Sequence, residues 1–416
     1  MSARATVQEP ARRGPEVAER TDRVVVFVEY YLPGFKAGGP LRSIAALVSH
    51  VGGEFDFRIL TRCHDDGDAR PYDGVRVDRW NAVGKAHVFY ASDRLLTIGG
   101  IIRLVRQAAP DIVYLNSYFA PLTRRFMIAR RLGLAPRVPV LVAPRGEFSE
   151  GALELKRLKK KVYLKLARGA GLYEDVTWQA SSDLEESEIK RALGSGARVK
   201  VAPDLTAPPQ DVPELGERPA KRTGAARFVF VSRISRKKNL DFALRQLAGL
   251  EGDVVFDIYG PVGEPEYWEE CLALSRSLPA NVHVEYHGAI PYEEVAGVLA
   301  RNHFFLLPTR GENFGHAIFE ALAAGCPPLI SDRTPWLASD SALASWIVPL
   351  EDTERWRRQL QRCVSMGPEE YADLSAAARR VAQDVAEAPA ARLANQALLA
   401  EMLEGSATRR RPTRRS

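Results

Sequence analysis

Apolar residues in this chain fall in short unbroken runs, separated by stretches with helical spacing. The first run, 23–29 (RVVVFVE), is rich in β-branched residues and predicts a strand buried on both faces. A glycine-rich loop follows at 33–40 (PGFKAGGP). A helix comes next, carrying Leu41, Ile44, Leu47, Val48 and Val51 on one face. Further runs at 57–60, 112–115 and 138–143 alternate with helical segments, which predicts a parallel α/β sheet.

The alternation stops at 204–226, a polar, proline-rich stretch, and then restarts. Runs at 227–233 (RFVFVSR), 254–260 (VVFDIYG), 282–288 (VHVEYHG), 303–309 (HFFLLPT) and 326–332 (CPPLISD) predict a second α/β domain of similar design. The predicted division is therefore a first domain at 21–205, a linker at 206–225 and a second domain at 226–385. Amphipathic helices end the chain. One opens at an Asp352 cap and aligns Trp356, Leu360, Cys363 and Val364; the last, 386–404, is expected to pack back on the first domain. Residues 1–20 and the basic tail 405–416 are read as disordered.

Composition narrows the class. With 416 residues, two domains are the natural expectation, and 46% hydrophobic with 26% charged residues is the balance of a globular protein. No apolar run approaches the roughly 18 residues needed to cross a bilayer, and 1–20 lacks a signal-peptide core, so a cytoplasmic location is expected. Four separated cysteines, with no C-x-x-C, suggest neither zinc nor a disulfide framework. A net charge of +6 fits an anionic partner without choosing among nucleic acid, phospholipid and nucleotide-sugar. No recognition motif supports nucleic acid, and no G-x-G-x-x-G supports a nicotinamide dehydrogenase.

The densest chemical signal is 309–336 (TRGENFGHAIFEALAAGCPPLISDRTPW). A strand ends at Pro308, a loop carries Glu312, Asn313, Phe314 and Gly315, and a helix then runs to about Ala324, stopped by Gly325. Such a helix start offers free N–H groups and a positive dipole end, which suits a diphosphate. Glu312 at the strand exit and Glu320 inside the helix are placed to hold hydroxyls at two ends of one ligand.

The string from Glu312 to Glu320, with its flanking strands, resembles the E-x7-E region of the GT-B-fold retaining glycosyltransferases of family four. The resemblance implies two Rossmann-like domains facing each other across a cleft, the first on the acceptor side and the second binding a nucleotide-sugar. It implies that Glu312 faces the donor sugar, that Glu320 holds the ribose, and that Asn313 and the N–H groups near Phe314, Gly315 and His316 meet phosphate or sugar. Residues 232–239 (SRISRKKN) resemble the family's G-R-x-x-x-x-K-G segment, with Ser232 and Asn239 in place of glycines. By that match Arg233 and Lys238 neutralise the diphosphate, while Arg236 and Lys237 are read as solvated. Gly260 is read as a close-approach point for the donor, and Gly38 and Gly39 resemble the family's first glycine-rich loop, which closes on the donor phosphates.

On the acceptor side the candidates are Asn116, Ser117, Tyr118, Arg145 and Glu147. Arg145 stands where many relatives have His, in a PRG variant that recurs in relatives that build bacterial surface polysaccharides. It either orients an acceptor phosphate or hydroxyl or pairs with a carboxylate such as Glu147; its pKa excludes a role as base. At 150–168 seven Lys or Arg stand against two Glu, with Leu155, Leu158, Val162 and Leu166 as the apolar stripe. That segment is either a solvated face over a core stripe or a patch for anionic lipid. Asp66-Gly67-Asp68 is read as a polar loop far from the donor elements, not a metal site.

The expected activity is retaining, metal-independent hexosyl transfer in bacterial polysaccharide or glycoconjugate synthesis. The nucleotide-sugar is co-substrate, no other cofactor is needed, and a glycan or lipid-linked acceptor receives the sugar. The alternative is a catalytically inactive sugar-nucleotide or glycan-binding protein of the same fold.

Overall fold

The computed structural model describes residues 21–154, 157–206, 218–336 and 346–410. The expectations for 1–20, for 207–217 of the linker, for Leu155 and for 411–416 lie outside the described residues. Among those residues the strands form two sheets.

The first sheet is built from β1 (Arg23–Phe27), β2 (Asp56–Arg62), β3 (Trp80–Val83), β4 (Ala86–Ala91), β5 (Ile112–Asn116), β6 (Val140–Ala143), β7 (Thr177–Ala180) and β8 (Val199–Val201). Its order is β3-β4-β2-β1-β5-β6-β7-β8, parallel except for the β3–β4 hairpin. The second is built from β9 (Ala225–Val231), β10 (Asp253–Tyr259), β11 (Val282–Gly288), β12 (Phe304–Leu307), β13 (Pro328–Ser331) and β14 (Ile347–Val348), in the order β11-β10-β9-β12-β13-β14 and parallel throughout.

Both sheets are covered by helices on two faces, which is why their central strands read as unbroken apolar runs. Val24 and Val26 pack into one face of the first sheet, Val25 and Phe27 into the other. The β3–β4 hairpin and the short strands β7, β8 and β14 go unannounced in the apolar pattern. β3 is half-exposed and β8 is two-thirds exposed, so neither needs a continuous run.

Two segments differ from their sequence reading. Residues 218–225 of the supposed linker are fastened to the second domain. Arg218 donates to the carbonyls of Ala300 (2.7 Å), Ala324 (2.7 Å) and Gly325 (2.6 Å), where two helices end and offer unpaired oxygens. The last helix, Pro389–Arg410, takes in the first six residues of the supposed tail, because lengthening an existing helix needs no new nucleus. Its Leu398, Leu399 and Met402 belong to the core of the first domain, and the Asn395 amide donates to Pro203 O at 2.8 Å.

Each sheet has a switch point, at β1/β5 and at β9/β12, where chain direction diverges and leaves a crevice at the carboxyl ends of the strands. The two crevices open on one cleft.

Candidate active site

Arg233 and Lys238 follow β9, and Glu312 follows β12, its neighbour in the sheet. The two loops are tied together by Asn239, whose amide donates to Pro308 O at 2.9 Å from a left-handed backbone with φ 61°. Asn tolerates that conformation better than most residues, which explains how it replaces a glycine here. Gly260 lines the cleft, and its own sheet also requires a glycine there. A Cβ there would lie 1.9 Å from the Ser232 carbonyl, so the glycine accommodates the adjacent strand's backbone. Gly38 and Gly39 have open space where a Cβ would point, and both line the cleft.

The cleft is a cavity of about 760 Å³ lined from both domains. Glu312 is ion-paired with Lys238. Burial works to raise its carboxyl, but Lys238 and Lys237 outweigh that and hold it below the usual carboxylate range. Glu320, eight residues on, is ion-paired with Arg42 of the facing domain, whose guanidinium lies 4.2 Å from the Tyr292 ring centroid. Burial pushes the Glu320 carboxyl up despite Arg42, and its Oε2 is buried with no hydrogen-bond partner. Burial likewise lowers His316 to about 4, so its ring is neutral near pH 7.

His316 Nε2 lies 3.1 Å from Ser43 Oγ, which donates to Asp204 Oδ2 at 2.9 Å. The Asn313 amide meets Ser181 Oγ at 2.8 Å. Arg233 donates to Lys36 O (2.9 Å) and pairs with Asp66 (2.9 Å). Asp66 is thus not remote: its loop folds back on the glycine-rich loop, where Asp65 accepts from the Phe35 and Lys36 amides and Asp68 pairs with Lys36. Lys237, expected in solvent, lines the cleft, and burial lowers its ammonium pKa.

The acceptor candidates divide. Arg145 lines the cleft, but its charge is matched by Asp204, not by Glu147, and it also donates to Asn116 Oδ1 (3.1 Å) and Tyr114 Oη (2.7 Å). Asn116 is buried behind it. Ser117, Tyr118 and Glu147 do not line the cavity. The Glu147 carboxylate accepts from the Ser117 hydroxyl and the amides of Tyr118 and Phe119, and so fastens the turn after β5. Tyr118 is packed among Phe119, Phe148, Tyr163, Tyr173 and Trp178.

Sequence reasoning missed Lys36, Arg42, Ser43, Lys160 and Asp204, all of which line the cleft. Arg42 and Ser43 had a signal, since they are the fourth and fifth residues of the helix Gly39–Val51 that the glycine loop opens. Asp204 was obscured by the prolines after it.

The basic helix Arg157–Gly169 borders this side through Lys160. Its stripe is not core: Leu158 is 77% exposed, Val162 50% and Leu166 65%. Tyr163 and Leu164 pack inward instead. No helix among the described residues is long and apolar enough to cross a membrane. The grouping of potential metal ligands found among them, Asp257, Glu285 and His287, does not line the cleft.

Two parallel α/β domains with facing switch points, and cations gathered where the strands end, define a GT-B fold. Similar solved structures agree. A sucrose-phosphate synthase from Thermosynechococcus elongatus has a TM-score of 0.69 at 16% identity, covering 92% of this chain and 100% of that one. Anabaena HepE, in complex with UDP and glucose, has 0.64 at 15% over 92% and 100%. The trehalose-6-phosphate synthase OtsA has 0.65 at 11% over 92% and 99%. The sequence model of a glycosyl transferase 4-like domain matches residues 38–204, and that of the glycosyl transferases group 1 matches 211–381. No curated protein sequence matches the chain. The chain belongs to the group 1 glycosyltransferases, of the GT4 type.

Proposed function

We propose that this chain transfers a hexose from a nucleotide-sugar to a glycan or lipid-linked acceptor, with retention and without a metal, in the synthesis of a bacterial surface polysaccharide or glycoconjugate. The observation that carries the reading is the set of Arg233, Lys238 and Glu312 on adjacent strand ends beside the start of the helix His316–Ala323. The cations and helix start suit a leaving diphosphate, and Glu312 suits the donor sugar. HepE was solved with UDP-glucose, which favours a nucleotide-sugar as donor.

In this scheme the bond from the anomeric carbon to the diphosphate oxygen breaks as the acceptor oxygen attacks from the same face. The departing phosphate oxygen takes the acceptor proton, and Arg233 and Lys238 stabilise the charge that grows there. An inverting route needs a base on the acceptor side. Arg145 cannot serve, Glu147 is closed by three donors, and Asp204 is engaged by Arg145 and Ser43. The carboxylates that line the cleft are each beside a cation: Glu312 with Lys238, Glu320 with Arg42, Asp204 with Arg145, and Glu264 4.0 Å from Arg236.

A panel of nucleotide-sugars screened by thermal shift identifies the donor, since a ligand that binds only the folded state raises its stability. Proton NMR of the product then reads the anomeric configuration. An α-donor giving a β-product would refute retention and point to Asp204; loss of turnover in EDTA, restored by magnesium, would refute metal independence and point to Asp66 and Asp68. Donor binding without any turnover would favour the inactive binding protein.

The exposed Leu158, Val162 and Leu166 beside Lys159, Lys161 and Lys165 support a peripheral location at the inner face of the membrane. Replacing the three apolar residues by glutamate should abolish sedimentation with phosphatidylglycerol vesicles and leave Tm within a degree or two. Unchanged sedimentation rules this contact out.

A further inference from the structure

The first domain carries a second cavity, of about 490 Å³, that shares no lining residue with the cleft. It lies between the β3–β4 hairpin and the helix Ile98–Ala108. Its floor is apolar. Trp80 and Phe89 meet edge to face with ring centroids 5.4 Å apart, and Leu95 and Leu104 continue that surface. A Cβ on Gly100 would lie 2.2 Å from Leu95 O, so the helix is pressed onto the loop before it and the floor is closed. The rim is polar and exposed: Arg76, Asp78 and Arg79 from one turn, and Arg103 and Gln107 from the helix.

Three guanidiniums at the rim stand against one carboxylate, a net of two positive charges. That carboxylate, Asp78, accepts from the Ser92 amide and hydroxyl, both at 2.8 Å, and does not neutralise the arginines. Arg79 and Arg103 make no side-chain hydrogen bond, ion pair or ring contact among the described residues. Arg76 donates one N–H to Trp80 O at 3.3 Å and keeps its others. The turn that presents Arg76 and Arg79 is fixed by Asn81, whose side chain accepts from Arg76 N and donates to Arg76 O and Arg79 O, each at 2.9 Å.

A concave site with an apolar floor and a few polar groups at fixed positions suits a small ring-shaped ligand. Guanidinium forks match phosphate and carboxylate, and an aromatic floor suits the C–H face of a sugar ring. A bilayer would need apolar side chains that project, as on the helix Arg157–Gly169, and a nucleic acid would need a longer basic track than one cavity.

We propose that this cavity is a second ligand site, outside the cleft, for a saccharide that carries phosphate or carboxylate groups. Such a saccharide comes either from the acidic units of a glycan chain or from a soluble sugar phosphate. The site is separate from the donor chemistry, so it stands or falls apart from the transferase reading.

The full-length protein is titrated by calorimetry at low salt with trigalacturonate, with glucose-6-phosphate and with neutral maltotriose, and separately with UDP and GDP. Wild type should bind at least one of the two anionic sugars about tenfold more tightly than maltotriose. Arg79→Ala and Arg103→Ala should each weaken that binding about threefold, the scale of an exposed charge. Reversing both charges, Arg79→Glu with Arg103→Glu, should weaken it at least about tenfold, and added salt should then matter little. Both side chains are exposed and unpaired, so the Tm of the double variant should stay within about two degrees of wild type and its nucleoside diphosphate affinity within about twofold.

Tighter binding of trigalacturonate than of glucose-6-phosphate would identify an acidic glycan as the source, and the reverse a soluble sugar phosphate. Unchanged affinity in the double variant would place the anion in the cleft and overturn the proposal. So would a wild type that prefers neither anionic sugar over maltotriose. If wild type binds no nucleoside diphosphate, the transferase reading fails instead, and the sugar titrations still decide the second site.

Discussion

On the donor wall, Glu312, Asn313, His316 and Glu320 come from one continuous stretch, 312–320, that leaves a strand and enters a helix. On the facing wall, Lys36, Arg42, Arg145, Lys160 and Asp204 come from segments scattered along the first domain. Those four residues are positioned by the backbone of that one stretch, and Lys238 joins the wall from the neighbouring loop after β9. Those on the facing wall are positioned by one another, through Arg145 with Asp204, Ser43 with Asp204, and Arg42 with Glu320 across the cleft. A wall of the first kind tolerates loss of a side chain with its frame intact. In the second kind each polar residue is also part of the frame.

The largest test of that contrast is Arg145→Ala. It leaves Asp204 buried without its counter-ion, so the chain should lose about 3–5 kcal/mol of stability, read from denaturant unfolding. A variant with unchanged midpoint but raised acceptor KM would show that Arg145 is a ligand and the two walls are alike.

Next is Lys238→Met on the donor wall. Loss of one preorganised charge at the leaving group should lower kcat about 10²–10³-fold, with donor KM little changed. The midpoint should move far less than for Arg145, since Lys237 still holds Glu312. A rise in KM with kcat intact would mean that the charge acts only in the ground state.

Glu320→Gln probes the contact between the walls. If the carboxylate passes from Arg42 to a ribose when donor binds, affinity for free nucleotide should fall about tenfold, the lower end for a hydrogen bond to a charged group. Glu312→Gln should spare free nucleotide. Equal effects at both positions would remove the division of roles.

The smallest expected effect is in the pH profile. His316 is lowered to about 4 by burial, so between its ordinary value near 6.5 and 4 the unfolded chain binds the proton and the native chain does not. Stability therefore falls as pH drops through that window. His316→Gln should make the fall shallower but not abolish it, because His303 is also lowered to about 4 by burial. An unchanged acid limb would mean that His316 is solvated.

The strands β1, β2, β5, β6, β9, β10, β12 and β13 are legible in the sequence because a strand covered on both faces is largely apolar, and the half-exposed edge strand β11 is legible from its own spaced apolar residues. Strands β3, β7, β8 and β14 are not, being short and at or near sheet edges. The donor wall is legible for a related reason: a strand exit, a glycine turn and a helix start impose fixed spacing on Glu312, Gly315 and Glu320 within a few residues.

The sequence by itself determined two α/β domains and the local motif of the donor wall, because period and spacing are properties of a continuous chain. Only the tertiary structure decided which polar side chains face the cleft. Ser117, Tyr118 and Glu147 sit at a strand end like any site residue, yet they turn into an aromatic cluster and a backbone turn. Asp204, hidden before a run of prolines, becomes the counter-ion of Arg145. Leu158, Val162 and Leu166 have core spacing but face solvent. In each case the outcome depends on which distant segment packs alongside, and no local pattern records that.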